Sequence, residues 1–409
     1  MSEWKEVYLN QAFDICSGLS KPAQDFGSGF PFLSFKTVFD NFFVPKNLLE
    51  LVESSDKERH RCSVKRGDVF LTRTSETVKE LGMSCVALKD YENATFNGFT
   101  KRLRPNGKFE IVPEYAGYYF RSPKFRAEVT ALSSASTRAS LNNEMLGRLK
   151  IVLPSWEEQK RIAAVLSCLD DKIENLRKQN ETLEKIAQTL FKHWFIDFEF
   201  PNENGQPYRS SGGAMQPSEL GAIPAGWRVG KLGDEFNILM GQSPVGSSYN
   251  QNGEGLIFFQ GRTDFGFRFP TIRLFTTEPK RIANKFDVLV SVRAPVGDIN
   301  VAFEKCCIGR GLSAVSSNHQ SYCLYKLKSF KKFFDVFESE GTVFGSVNKT
   351  SFNELKSIIP NTEIIQAFED IVSPIDRKNF LNENQIQTLT KTRDTLLPEL
   401  MSGKLRIPE

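Results

Sequence analysis

The chain repeats itself, and that constrains its fold more than any single motif. Leu149-Lys-Ile-Val-Leu-Pro154 returns as Leu355-Lys-Ser-Ile-Ile-Pro360, 206 residues later. The same offset joins Ser140 and Asn142 to Ser346 and Asn348, Asp170 and Lys172 to Asp376 and Lys378, and Leu183 and Leu190 to Leu389 and Leu396. A register kept without a gap over some 50 residues requires two similar folding units in one chain. Upstream the offset drifts. Trp4 corresponds to Trp227, and Gly67-Asp-Val-Phe-Leu-Thr-Arg73 to Phe286-Asp-Val-Leu-Val-Ser-Val-Arg293. Each half is therefore a variable module of about 150 residues followed by a constant segment of about 45, and the Gly-, Pro- and Ser-rich stretch from Pro201 to Gly226 reads as a linker.

The constant segments have the spacing of long helices. Ser155-x-x-Glu158 after Pro154 is a capping-box pattern. Ile162, Leu166, Leu169, Ile173, Leu176, Asn180, Leu183, Ala187, Leu190 and Trp194 then follow in steps of 4 and 3, a coiled-coil seam. Some 40 such residues would make a rod of roughly 60 Å. The second seam, Phe368, Val372, Ile375, Asn379, Asn382, Ile386, Leu389, Arg393, Leu396 and Leu400, is more polar and depends more on a partner. Asn180 aligns with Ile386, and a core Asn fixes register at some cost in stability. The simplest arrangement packs the two helices on each other within one chain; homodimerisation through the same seams is the competing arrangement.

A chain of 409 residues suits two or three domains, and 40% apolar with 25% charged residues is an ordinary globular composition. The Phe clusters from Phe26 to Phe43 and Phe258 to Phe269 read as strand cores. Val69–Arg73, Ser84–Leu88, Val288–Arg293 and Leu312–Val315 are strand-like, whereas Tyr118–Val129 and Tyr322–Glu338 could be helices. A net charge of +4 neither demands nor excludes nucleic acid, because a local basic face suffices. Seven scattered cysteines without a C-x-x-C pair, no basic-then-apolar leader and no apolar run of ~18 residues lead us to expect reduced thiols, no membrane span and a cytoplasmic setting.

Catalytic chemistry is sparse. His60, His193 and His319 form no zinc pattern, and His193 reads as a helix-flank residue. Gly341-x3-Gly345-x3-Lys349 lacks the adjacent Gly-Lys of a phosphate loop. Glu158-Gln-Lys160 has letters seen in nuclease sites but opens a heptad helix, where a solvated first turn explains it. What remains is polar and basic material in the modules: Lys21, Gln24, Ser34, Lys36, Thr72, Arg73, Thr74, Arg102, Arg104 and Arg138 in the first, Gln242, Ser243, Tyr249, Asn250, Gln260, Arg262, Arg293, Arg310 and Lys349 in the second. Arg, Lys, Gln and Asn can bond to base edges, and Ser, Thr and Lys position phosphates. Any one of them could equally be a solvated surface side chain. The set gains weight because both halves carry it, with Arg102 or Arg104 set beside Arg310.

Six motifs together resemble the specificity (S) subunit of type I restriction-modification systems, over essentially the whole chain. They are Trp4-Lys-Glu-Val, Ile151-Val-Leu-Pro-Ser-Trp-Glu-Glu-Gln-Lys-Arg-Ile162, Phe191-Lys-His-Trp-Phe-Ile-Asp-Phe-Glu-Phe-Pro201, Ser218-Glu-Leu-Gly-Ala-Ile-Pro-Ala-Gly-Trp227, Gly241-Gln-Ser-Pro244 and Leu397-Pro-Glu-Leu-Met-Ser-Gly-Lys-Leu405. The resemblance implies an α/β (α+β) fold: two similar globular target-recognition domains, residues 1–152 and 227–358, separated by two long antiparallel coiled-coil helices, residues 153–200 and 359–409, with 201–226 as linker. Each domain would read one half of a bipartite asymmetric site in double-stranded DNA. The helices would dock two methyltransferase (M) subunits, with restriction (R) subunits joining them. S-adenosylmethionine, ATP and magnesium would belong to those partners, none to this chain, in the cytoplasm of a bacterium or archaeon. A coiled-coil scaffold without DNA specificity fits the heptads alone. A self-sufficient nuclease or methyltransferase would need cofactor motifs that we do not find.

Overall fold

The computed structural model describes residues 4–74, 80–133, 140–331, 333–334 and 346–408. The chain divides into two compact units, residues 1–175 with 385–409 and residues 176–384. Each contains one variable module and a stretch of both long helices.

The modules share the topology of their four-stranded sheet. In the first unit a four-stranded antiparallel sheet runs in the order 13–17, 100–105, 69–72, 84–86; in the second the order is 237–240, 312–316, 288–291, 299–301. The central strands Val69–Thr72 and Val288–Ser291 are buried along their whole length, because both faces are covered. Alternation sorts their side chains: Val69 and Leu71 join the cluster with Tyr115, Tyr118 and Phe125, whereas Phe70 joins Phe32, Cys85 and Phe96. Val288 and Val290 pack likewise with Tyr322 and Leu324, and Leu289 with Ile257 and Ile308. Those second clusters belong to a three-stranded sheet in the first module and a five-stranded sheet in the second, each containing one parallel pairing, Phe32–Thr95 and Phe258–Cys307. The turn before each central strand needs a positive φ. Gly67 supplies it in the first module (+88°), while Phe286 is held there in the second (+72°).

The constant segments follow the repeat register. Strand 5–8 pairs with 150–153 and strand 228–231 with 356–359, both antiparallel. Helices Trp156–Phe191 and Thr362–Ser402 come next. Within each unit they run antiparallel. In the first, Asp170 bonds Arg393 at 2.7 Å and Ile162 and Leu166 share a core with Leu397 and Leu400. In the second, Asn382 Nδ2 donates to Asn180 Oδ1 at 2.8 Å and the Phe191 and Phe368 rings lie 5.7 Å apart. Intrachain pairing thus prevails over a seam left open for a second copy.

The burial pattern shifts away from the heptad register toward the helix ends. Ile162, Leu166, Ile173, Leu176 and Asn180 are buried, but farther on the buried positions are Glu184, Ala187, Phe191 and Trp194, leaving Leu183 and Leu190 half-buried. In the second helix Phe368, Val372, Asn379, Asn382 and Ile386 are buried, then Leu397, Leu400 and Met401, with Leu389 and Leu396 half-buried. Leu169 and Ile375 are half-buried too. A straight helix of 3.6 residues per turn drifts ~20° per heptad, which moves the inward stripe by one position over this length.

Three local expectations change. The helix expected over Tyr118–Val129 is two, Pro113–Tyr119 and Pro123–Ser133, because Pro123 cannot continue the first but can open the second. The stretch 201–226 is ordered by a hairpin, Met215–Ser218 with Gly221–Pro224, and by Tyr208 stacking on Phe200. Glu158 and Gln159 are buried, at 7% and 1% exposure, not a solvated first turn. Glu158 accepts from Trp4 Nε1 at 3.0 Å and Arg406 at 2.6 Å. Gln159 accepts the Val112 N–H and donates to the Glu110 and Pro154 carbonyls. These contacts fasten the chain's beginning and the tail of the second helix to the start of the first.

Asn379 is 1% exposed with both amide atoms unpartnered, and Asn382 keeps its Oδ1 unpaired. Asn382→Ala would strand the Asn180 amide as well, at a cost of about 1–3 kcal/mol. Replacing both Asn180 and Asn382 by Leu should be neutral or stabilising. Urea unfolding of the two variants checks this, and a double variant less stable than Asn382→Ala would contradict it.

Candidate nucleic-acid interface

At one end of each four-stranded sheet the same loops meet, tied by the same four main-chain hydrogen bonds. In the first module Leu19 N–H donates to the Phe96 carbonyl (2.8 Å), Asn97 to Leu33 (3.0 Å), Arg73 to Phe99 (2.9 Å) and Leu141 to Arg73 (2.8 Å). In the second Gln242 donates to Ile308 (3.0 Å), Gly309 to Phe259 (2.8 Å), Val292 to Gly311 (3.0 Å) and Val347 to Val292 (3.0 Å). Bridges Thr74–Ser140 and Arg293–Ser346 complete the match. Each platform thus gathers ends of four loops, and close backbone approach demands small residues: a Cβ on Gly241 would meet the Gly309 carbonyl oxygen at 2.2 Å, and one on Gly18 that of Asn97 at 2.2 Å.

These bonds revise the residue correspondences. Arg293 matches Thr74, not Arg73, whose counterpart is Val292. Arg310 matches Gly98, so neither Arg102 nor Arg104 is its equivalent.

In the second module the platform carries the sequence-predicted residues Gln242, Gln260, Arg293 and Arg310, all exposed. Ser243 Oγ accepts the Arg310 N–H at 3.2 Å, which fixes the loop without occupying the guanidinium. A polar recess nearby is lined by Gly261, Arg262, Arg293, Pro295, Asn300 and Gly311. Arg262 is paired with Asp298 at its edge. Tyr249 donates to the Pro244 carbonyl (3.0 Å) and packs on Phe258. Asn250 bonds within its own turn, to the Glu254 carbonyl. Lys349 is exposed in the first turn of a short helix capped by Asn348.

The first module is less exposed. Thr74 and Arg73 lie half-buried on the platform, with Lys36 exposed on the helix Phe35–Asp40 and Gln24 exposed on the short 3-10 helix Ala23–Asp25. Ser34 is 7% exposed and caps the helix Phe35–Asp40, and Lys21 is paired with Glu58 at 3.1 Å. Three residues expected to face a ligand turn inward. Thr72 is fully buried, bonding Glu80 and Met83 main chain. Arg102 is 7% exposed and donates to the Arg61 and Ser63 carbonyls, and Arg104 grips the buried Asp68 at 2.7 and 2.6 Å. Thr72 and Arg102 are buried on neighbouring strands, and Arg104 is half-buried with its guanidinium held by Asp68. Arg138, with Gly341 and Gly345, lies outside the described residues.

Sequence reading missed a repeated lock between each module and its helix. Tyr118 Oη donates to Asp170 at 2.7 Å and Tyr325 Oη to Asp376 at 2.8 Å. The repeated Asp170/Asp376 pair was the available signal. In the second unit the lock grows into a buried ionic cluster: Arg268, 6% exposed, bonds Glu184, Asp376 (2.7 Å) and Tyr325 (3.0 Å), and Lys328 bonds Glu184. Burial opposes charge on Glu184, yet Arg268 and Lys328 hold its carboxyl below the usual range. Burial raises both tyrosines and keeps them protonated donors.

Among the described residues no three His, Cys, Asp or Glu side chains could hold a metal ion, and no helix is long and apolar enough to cross a membrane. Burial pushes the Cys85 and Cys306 thiols up to about 12, far from a nucleophile's range.

One architecture, a loop platform on a four-stranded sheet packed against the long helices, thus occurs twice in the chain. The family model for the type I restriction modification DNA specificity domain matches residues 1–185 and 224–391. A Methanocaldococcus jannaschii relative, MjaX, is 30% identical over 415 residues, covering 99% of this chain and 94% of its own. The type I restriction enzyme HindI specificity subunit of Haemophilus influenzae is 24% identical over 475 residues, covering 99% and 100%. The solved type I restriction-modification S subunit from M. genitalium shares the fold with a TM-score of 0.58 at 16% identity, covering 97% of this chain and 96% of that one. The chain belongs to the type I restriction-modification DNA specificity family, as a non-catalytic specificity subunit.

Removing Arg268 would leave two buried carboxylates short of a cation. Arg268→Met should cost about 3–5 kcal/mol, and Arg268→Lys should recover little because one ammonium cannot span both carboxylates. Calorimetric unfolding of both variants tests this.

Proposed function

We propose that the modules at residues 1–152 and 227–358 each read one half of a bipartite asymmetric DNA site through their loop platforms. The supporting observation is that identical main-chain bonds hold both platforms while the side chains they present differ, as two unlike half-sites require. Gln242, Gln260, Arg293 and Arg310 are the base-reading candidates of the second module, with Ser243, Arg262, Tyr249 and Lys349 around them. Lys36, Gln24 and Thr74 are the base-reading candidates of the first, with Arg73 on the same platform and Lys21 and Ser34 shaping its turns. Arg102, Arg104 and Thr72 support the platform from inside. Bidentate Arg and Gln contacts suit guanine and adenine edges in the major groove.

Residues 153–200 and 359–409 dock two methyltransferase subunits, which restriction subunits join. Quasi-equivalent halves can recruit two copies of one partner. S-adenosylmethionine, ATP and magnesium act on those partners, in the cytoplasm.

Co-expression with the cognate methyltransferase subunit and genome-wide mapping of methyladenine should give one split motif with a spacer of constant length. Exchanging residues 1–152 for those of a relative should change one half-site only; a swap that alters both, or neither, refutes the division of labour. Arg310→Ala should cost about 1–3 kcal/mol of binding and relax specificity at one position. Inserting seven residues into each long helix should lengthen the spacer or abolish methylation, and an unchanged spacer with full activity would remove the helices as its ruler.

A further inference from the structure

The first platform contains a cationic pair that its counterpart lacks. Lys101 sits on the strand 100–105 opposite Leu71 and is 7% exposed. Its ammonium donates to Ser17 Oγ at 2.8 Å and Asn143 Oδ1 at 2.7 Å, both neutral acceptors. Arg73 adjoins it, with its main chain held on both sides, N–H to Phe99 and carbonyl to Leu141. Its Nε is buried and has no partner. Among the described residues neither cation is paired with a carboxylate. Burial, then the neighbouring Arg73 charge, lowers the Lys101 pKa.

Two adjacent cations with no carboxylate partner among the described residues, one fixed by neutral hydrogen bonds and the other with an idle buried donor, are costly to keep unless an anion completes them. The equivalent positions of the second module are Val292 and Ser313, which carry no charge. That module's free arginines, Arg293 and Arg310, stand at exposed loop positions instead.

We infer that Arg73 and Lys101 form a phosphodiester-binding site that anchors the DNA backbone at the first half-site only. The inference rests on the DNA-reading role proposed above. A recessed lysine acts as a point charge, suited to a phosphate and blind to base identity. The first module therefore positions its duplex by a recessed cationic pair and the second relies on exposed side chains, so the first half-site carries more of the salt dependence.

The test uses the full chain in complex with its methyltransferase subunit, a labelled duplex bearing the mapped site, and duplexes with each base of the first half-site changed in turn. Binding is titrated over a series of salt concentrations. Arg73→Gln should reduce the slope of log K against log salt by about one. It should weaken all duplexes by the same factor and leave their ranking unchanged, with an unaltered unfolding midpoint. Lys101→Gln, which could loosen the strand, is read only through the same slope on protein of native unfolding midpoint; Lys101→Arg should retain it. An unchanged slope in Arg73→Gln overturns the inference, as does a changed ranking, which would make Arg73 a base reader. If the wild-type complex shows no salt-dependent binding to any duplex, the DNA-reading role itself falls, and the anchor with it.

Discussion

Each module depends on main-chain hydrogen bonds that close its loop platform. Leu19 to Phe96, Asn97 to Leu33, Arg73 to Phe99 and Leu141 to Arg73 involve no side-chain atom, and the second module repeats all four with Gln242, Gly309, Val292 and Val347 as donors. Bonds of this kind are indifferent to residue type except where backbones crowd, as at Gly18 and Gly241. The geometry can persist while its outward side chains change, so Gly98 in one module can be Arg310 in the other without a new fold. A recognition subunit must conserve a frame and vary its reading surface, and this separation allows both.

The second constraint is the treatment of polarity on the long helices. An apolar seam would hold two helices together but tolerate slippage and alternative partners, whereas a buried polar group must meet its match. Asn180 with Asn382 and Asp170 with Arg393 each have one favourable register, and Arg268 of the second module bridges Glu184 and Asp376 on the two helices. Their net contribution to stability is small, since desolvation offsets attraction. Their effect lies in fixing which residues face each other. The tyrosine hydroxyls of Tyr118 and Tyr325 extend that fixing to the modules, because each locks a module helix to an aspartate on its own long helix.

Much of this was legible in the sequence because repeats and periodicity report main-chain organisation. The 206-residue offset carried through to paired strands, to the caps at Asn142 and Asn348, and to the long helices. The buried stripe drifted only where 3.5 and 3.6 diverge. Side-chain direction was far less legible. Arg102 and Arg104 look from sequence like any basic pair in a loop; only strand register shows that they point at Asp68 and buried carbonyls. The alignment placed Arg73 against Arg293, and a single-residue slip there exchanged a half-buried platform position for an exposed loop tip. Glu158 looked like a solvated first-turn acid because nothing local betrays Trp4 or Arg406, residues from the two ends of the chain.

The same comparison explains why pseudo-symmetry here need not mean equivalence. Where function requires a common partner on both halves, the helices and the Tyr–Asp locks repeat. Where it requires discrimination, they diverge, and they diverge in kind as well as in sequence. The first module recesses its charge, with Lys101 behind neutral partners and Arg102 and Arg104 spent on internal bonds. The second spends Arg268 and Lys328 on its helix and exposes Arg293 and Arg310 at the platform. Electrostatic attraction to phosphates is long-ranged and sequence-blind, whereas a guanidinium on a base edge acts only at contact. A subunit that weights one half toward the first and the other toward the second can hold a duplex by one end while testing the other. With the proposed Arg73–Lys101 anchor, both half-sites must still be correct, but they are not tested by the same physics.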